Sequence, residues 1–135
     1  MITASDINIL ARTVWGEARG ESYEGQKAVA HVVINRWKAD EGQFRKDDTI
    51  ATACLRYAQF SCWNADDPNF EEMQTTGPEA RSFRVAMRAA LEALDEPDPT
   101  EGARHYHTAG VSPAWSEGRD PVIVIGSHYF FVGVL

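Results

Sequence analysis

The chain has little cysteine, little proline and no long apolar run. Without a stretch near the roughly 20 apolar residues that span a bilayer, no membrane insertion is expected. The opening Met1-Ile-Thr-Ala-Ser-Asp has neither a basic segment nor an apolar core, so no secretory leader is expected either. Basic charge is also short: 13 Lys and Arg stand against 20 Asp and Glu, a formal net charge of −7. That balance argues against a nucleic-acid partner, which calls for a basic stripe. The two cysteines, Cys54 and Cys62, have no Cys-x-x-Cys spacing, so a metal pair is not expected. Two reduced thiols or one disulfide both remain open, the latter requiring Cα atoms within about 7 Å. No repeat or low-complexity tract occurs.

What is present fits one compact domain over residues 1–135, with 44% hydrophobic and 24% charged residues. Ser5 is the expected cap of a first helix in which Ile7, Leu10, Ala11 and Val14 recur at helical spacing and Gly20 acts as terminator. Ser22 caps a second helix to about Lys38. Its broad apolar face of Ala28, Val29, Val32, Val33 and Trp37 predicts burial on most sides. A polar loop over 39–48 follows. Thr49 caps a short helix to about Tyr57, a further helical turn is expected near Phe70–Met73, and Pro78 opens a helix to about Leu94. The inner stripe of that last helix is expected to be Phe83, Ala86, Met87, Ala90, Leu91 and Leu94. Beyond Pro97 and Pro99 the period changes. Ala103–Thr108, Val122–Ile125 and Tyr129–Val134 read as strands, giving an α+β fold, mainly helical with a small C-terminal β element.

The chemistry concentrates in Trp15-Gly-Glu-Ala-Arg-Gly-Glu. Glu17 and Glu21 lie four residues apart, and on a continuous helix they would share a face with Cβ atoms about 5–6 Å apart. A like charge, a helix C-terminus and burial beside Trp15 would each raise a carboxyl pKa. A carboxylic acid that stays protonated near neutral pH is what glycoside cleavage requires of its general acid. Two carboxylates on one helix face lie on the same side of a substrate, so flanking a scissile bond as the usual glycosidase pair does is hard, and a mechanism with a single acid is more natural. Surface glutamates at a solvated helix end are the plainer alternative from spacing alone.

Three ordered blocks carry a resemblance. Leu10-Ala-Arg-Thr-Val-Trp-Gly-Glu-Ala-Arg-Gly-Glu with Glu24-Gly-Gln-Lys-Ala-Val-Ala-His-Val-Val-Ile-Asn-Arg is the first, and Gln59-Phe-Ser-Cys-Trp-Asn the second. Gly102-Ala-Arg-His-Tyr-His-Thr, Pro113-Ala-Trp and Ile125-Gly-Ser-His-Tyr-Phe form the third. Together they resemble the spore-cortex-lytic, SleB-like cell wall hydrolases, in the branch of proteobacteria and their phages. The resemblance implies an α+β fold related to lysozyme-like lytic transglycosylases. It implies peptidoglycan glycan strands as partner, cut at the β-1,4 bond between N-acetylmuramic acid and N-acetylglucosamine. It implies Glu17 as catalytic glutamate, and no cofactor is expected. Ser127 departs from the Asn common before the motif histidine, and no wall-binding repeat is present. An enzyme made in the cytoplasm without a leader would reach the wall by a holin, a phage tail or host lysis.

Gln59, Ser61 and Asn64 are expected to bond acetamido and hydroxyl groups, or else to brace their loop. Trp63 and Trp115 are expected to stack on sugars, or else to fill core; Phe60 reads as core. Tyr106 should face opposite to His105 and His107 on a strand. These residues, with His128 and Glu21, complete the expected substrate-binding set. A rival reading gives His105, His107 and His128 to a zinc-dependent N-acetylmuramoyl-L-alanine amidase. A second rival is a non-catalytic wall-binding module. His31 reads as structural. Arg19, Arg36, Arg56 and Arg104 could make the groove locally basic, with Arg19 pairing Glu21 or steering substrate.

Overall fold

The computed structural model describes residues 1–39, 42–44, 48–56 and 60–134, with only the backbone of Ser61. Among the described residues five α-helices run α1 Ala4–Ala18, α2 Tyr23–Trp37, α3 Ile50–Leu55, α4 Phe70–Thr75 and α5 Arg81–Ala93, and three strands follow: β1 His105–Thr108, β2 Ile123–Ile125 and β3 His128–Phe131. The architecture is α+β, a helical body with a small C-terminal sheet, as expected.

The cap of α1 is Thr3, not Ser5. Thr3 and Asp6 form a reciprocal capping box, the Asp6 amide donating to the Thr3 hydroxyl at 3.1 Å and the Thr3 amide to the Asp6 carboxylate at 3.0 Å. Asp6 also accepts the Ala51 amide at 3.0 Å, which ties the start of α1 to α3. The helix closes through right-handed Arg19, and Gly20 takes no positive φ, so the expected glycine terminator is not used. The caps at Ser22 and Thr49 form as expected.

Gly16 sits inside α1, where glycine costs about 1 kcal/mol relative to alanine. A Cβ there would lie 2.6 Å from the Cβ of Cys62. The glycine therefore lets the Ser61–Trp63 turn approach the helix directly beside Glu17.

Helix α2 is buried on most sides, as its wide apolar face implies. Helix α5 begins at Arg81, after Pro78. Its inner face is Phe83, Ala86, Ala89, Ala90 and Ala93, whereas Leu91 is exposed. The small alanine face, not the leucine expected in the stripe, lets α5 lie close to α1 and α2. Cys54 and Cys62 are reduced thiols, not joined in a disulfide, and both are buried in the core. Burial first, then the charge of Glu17, pushes the Cys62 thiol far up, so it stays protonated.

The sheet has the order β1-β3-β2, all antiparallel. Tyr106 pairs with Phe130 and Thr108 with His128. Gly126 and Ser127 join β2 to β3, with Gly126 at φ 58. One sheet face carries Tyr106, His128 and Phe130. Phe130 packs with Ala18, Val29, Val32 and Ala103, which docks this face on α1 and α2. Among the described residues no helix is long and apolar enough to cross a membrane.

Candidate active site

Glu17 lies in the last turn of α1, half-buried, with the sheet folded over it. The Tyr106 hydroxyl donates to its Oε1 at 3.0 Å. Burial raises the Glu17 pKa to about 7, the Tyr106 hydrogen bond pulls it down, the Asp67 charge raises it and the Arg36 charge lowers it. A carboxyl half-protonated at neutral pH can give a proton and take it back within one turnover. The Tyr106 phenol is itself pushed well above its ordinary value, by burial and then by Glu17, and stays a neutral donor.

The desolvation was expected from Trp15, but Trp15 points elsewhere. Its indole donates to the Ser82 hydroxyl at 2.9 Å on α5. The like charge was expected from Glu21, but the helix stops at Ala18, so Glu17 and Glu21 do not share a helical face. Both Glu21 oxygens accept from Ser127, Oε1 from the amide at 3.0 Å and Oε2 from the hydroxyl at 2.7 Å. Burial pushes the Glu21 pKa up, and the Ser127 bonds overcome it, so this carboxylate titrates below its usual range. The like charge acting on Glu17 is Asp67, which sequence reasoning missed. The Asp67 Oδ1 accepts the Asn69 amide at 2.8 Å.

Arg36 is buried. Its Nε donates to the Arg104 carbonyl at 2.7 Å, and its guanidinium lies over the rings of Phe44 and Phe60 at 4.4 and 4.6 Å. It supplies positive charge beneath the site rather than at an open groove. Arg19 does not pair with Glu21; it stacks 4.1 Å over Trp15 and donates to Asn69 Oδ1 at 3.0 Å.

Strand alternation places the histidines. His105 and His107 lie opposite to Tyr106, both against Trp115, with ring centroids 4.9 and 5.8 Å away. His128 shares the Tyr106 face, its ring edge-on at 4.9 Å. The three histidines expected to hold zinc in the rival reading thus divide between two faces of the sheet. Among the described residues no three His, Cys, Asp or Glu side chains gather as a metal site requires. His105 is lowered to about 4 by burial and then by the charges of Arg36, Arg119 and Arg104, so it is neutral. Burial also lowers His128, against the opposing charge of Glu21. His31, buried in α2, has its pKa lowered by burial against the charge of Asp98.

Two clefts lie among the described residues, and Glu17 itself lines neither. The first, about 390 Å³, is lined by Tyr106, His107, Thr108, Val111, Ser112, Pro113 and Trp115. The second, about 470 Å³, is lined by Trp63, Asn64, Ala65 and Asp66, next to Asp67. Trp63 both lines this cleft and braces the loop, its indole donating to the Thr13 hydroxyl at 2.8 Å. Phe60 is buried core as expected. Gln59 and the side chain of Ser61 lie outside the described residues. The structure thus brings Tyr106 and His128 to the sheet face over Glu17, places His105, His107 and Trp115 together on the opposite face, and puts Trp63 and Asn64 in a separate cleft.

A carboxyl raised to about 7 beneath a tyrosine stands in a chain whose residues 20–131 match the sequence profile described as Cell Wall Hydrolase. The chain belongs to that family. The cell wall hydrolase is 32% identical over 127 residues to the spore cortex-lytic enzyme of Bacillus subtilis (strain 168), covering 93% of this chain and 37% of that one. The corresponding enzyme of Halalkalibacterium halodurans is also 32% identical, covering 93% of this chain and 34% of its own. The chain therefore spans little more than a third of the length of these curated relatives. Among solved structures it is similar to the catalytic domain of the Bacillus cereus SleB protein, with TM-score 0.76 and 27% identity over 96% of this chain and 91% of that one. The catalytic domain of the germination-specific lytic transglycosylase SleB from Bacillus anthracis gives TM-score 0.74 and 29% identity, over 95% and 94% of the two chains. Glu17 precedes the profile match, which begins at Gly20.

Proposed function

We propose that this cell wall hydrolase is a peptidoglycan glycosidase, a lytic transglycosylase that cuts the β-1,4 bond between N-acetylmuramic acid and N-acetylglucosamine. The observation that carries the reading is Glu17, half-buried beneath Tyr106 with its pKa raised to about 7. Glu17 gives its proton to the glycosidic oxygen. The bond from that oxygen to C1 of the muramic acid breaks, and its electron pair stays on the departing oxygen. The sugar's own acetamido group stabilises the oxocarbenium-like C1. Ionised Glu17 then takes the proton of the C6 hydroxyl as that oxygen bonds to C1, leaving a 1,6-anhydro end. One acid that becomes one base suffices for this sequence.

The aromatic cleft beside Tyr106 suits a sugar face, with Trp115 and His107 as platforms. The polar cleft at Trp63 and Asn64 suits a further sugar ring. Delivery to the wall by a holin, a phage tail or host lysis is part of the same proposal.

One observation favours a second reading. Asp67 acts electrostatically on Glu17, and a second carboxylate could serve a water molecule in plain hydrolysis. Mass spectrometry of digested, borohydride-treated peptidoglycan separates the two. Anhydro-muropeptides support transglycosylation, reduced muramitol ends support hydrolysis by the same site, and freed stem peptides overturn both.

A further inference from the structure

The second glutamate of the first motif has its own assembly. Glu21 stands three residues beyond the end of α1 and grips Ser127 twice, through its amide at 3.0 Å and its hydroxyl at 2.7 Å. The neighbouring Gly126, at φ 58, faces the same carboxylate, and a Cβ there would collide with it. Both the left-handed conformation and the close approach call for glycine. The Ser127 carbonyl accepts the Ala109 amide at 2.8 Å, so this turn also fixes the end of β1. The next residue, His128, lies edge-on to Tyr106, whose hydroxyl reaches Glu17.

We propose that Glu21 is a positioning residue: by fastening the β2–β3 turn to the α1–α2 connection, it holds the strand bearing Tyr106 over Glu17 and keeps water from that carboxyl. The proposal rests on reading Glu17 as the acid. It also accounts for Ser127, whose hydroxyl provides the second half of the grip.

The groups facing Glu17 are Tyr106 from β1, Arg36 from α2, Cys62 from the Ser61–Trp63 turn and Asp67 from the segment before α4. Glu21 faces Ser127 and His128 and is not among the charges that act on Glu17. Burial is the largest influence on Glu17, ahead of the tyrosine bond. Releasing the sheet therefore hydrates Glu17 and lowers its titration midpoint, even though a weakened tyrosine bond acts the other way.

The test is a carboxyl carbon NMR titration of Glu17, without substrate, in the wild type, Glu21→Ala and Ser127→Ala. Ser127→Ala keeps the Glu21 charge, so a shift there comes from hydration and not from lost repulsion. It also keeps the test available should Glu21→Ala fail to fold. The midpoint should fall by about half a unit or more in Glu21→Ala and by less in Ser127→Ala. On peptidoglycan, kcat should fall about tenfold with KM little changed. An unmoved midpoint in the folded variants overturns the proposal. Because the midpoint is read without substrate, that failure is distinct from a failure of Glu17 as acid, which shows as cleavage by Glu17→Gln.

Discussion

The Tyr106 hydroxyl donates to Glu17 Oε1 at 3.0 Å, across a sequence separation of 89 residues. A donor at this distance stabilises the carboxylate over the carboxylic acid. Tyr106→Phe removes it, so the Glu17 pKa should rise and the alkaline limb of the activity profile should move to higher pH. Activity near pH 6 should fall about tenfold as the acid loses its orientation. A pH–rate profile of the folded variant checks both; an alkaline limb that moves down contradicts the assignment.

Asp67 acts in the opposite sense, its charge raising Glu17. Asp67→Asn should lower the Glu17 pKa and draw the alkaline limb down, while anhydro product still forms at low pH. If Asp67 instead serves the water of a hydrolytic reaction, the variant loses activity at every pH. Product yield across pH 4–8 decides.

Much of the architecture was legible because it is local. The caps at Ser22 and Thr49 are short-range hydrogen bonds, and the apolar face of α2 is a matter of period. What was not legible depends on where the chain turns. Pairing Glu17 with Glu21 assumed a continuous helix, and ending α1 at Ala18 removed the premise. The zinc reading assumed that His128 joins His105 and His107. The register of Thr108 with His128, set across the sheet, puts His128 on the other face. Asp67 had no signature at all, because its effect on Glu17 is a tertiary one. The role of Gly16 likewise appears only when Cys62 arrives beside it.

Keeping Glu17 buried has a cost to stability. Its pKa is about 7 in the folded protein against an ordinary 4.5. Between those values the folded state holds the proton more tightly than the unfolded state, so stability falls as pH rises from about 4.5 to 7 and stays reduced above. Glu17→Gln removes that penalty. The variant should be more stable than wild type by about 2–3 kcal/mol at pH 8, and by little at pH 4. Urea denaturation at the two pH values measures it; equal differences at both contradict the burial.

Gly16→Ala reverses the usual helix preference. Alanine gains about 1 kcal/mol in propensity, but its Cβ meets Cys62 Cβ at 2.6 Å, Cys62 Sγ at 2.9 Å and Met73 Cγ at 3.3 Å. A net loss of about 1–3 kcal/mol is expected, with KM raised as the Trp63–Asn64 turn is pushed outward. Thermal unfolding together with the kinetics checks it. A stabilised variant with unchanged KM would show that the turn does not need the close approach.

The most direct test of the account is digestion of purified peptidoglycan at pH 6 by wild type and Glu17→Gln at matched concentrations, with the products read by mass spectrometry. Wild type should release fragments cut between N-acetylmuramic acid and N-acetylglucosamine and ending in 1,6-anhydro sugar. Glu17→Gln, folded and at least as stable, should release about a thousandfold less. Equal release by Glu17→Gln would contradict the claim that this carboxyl supplies the proton.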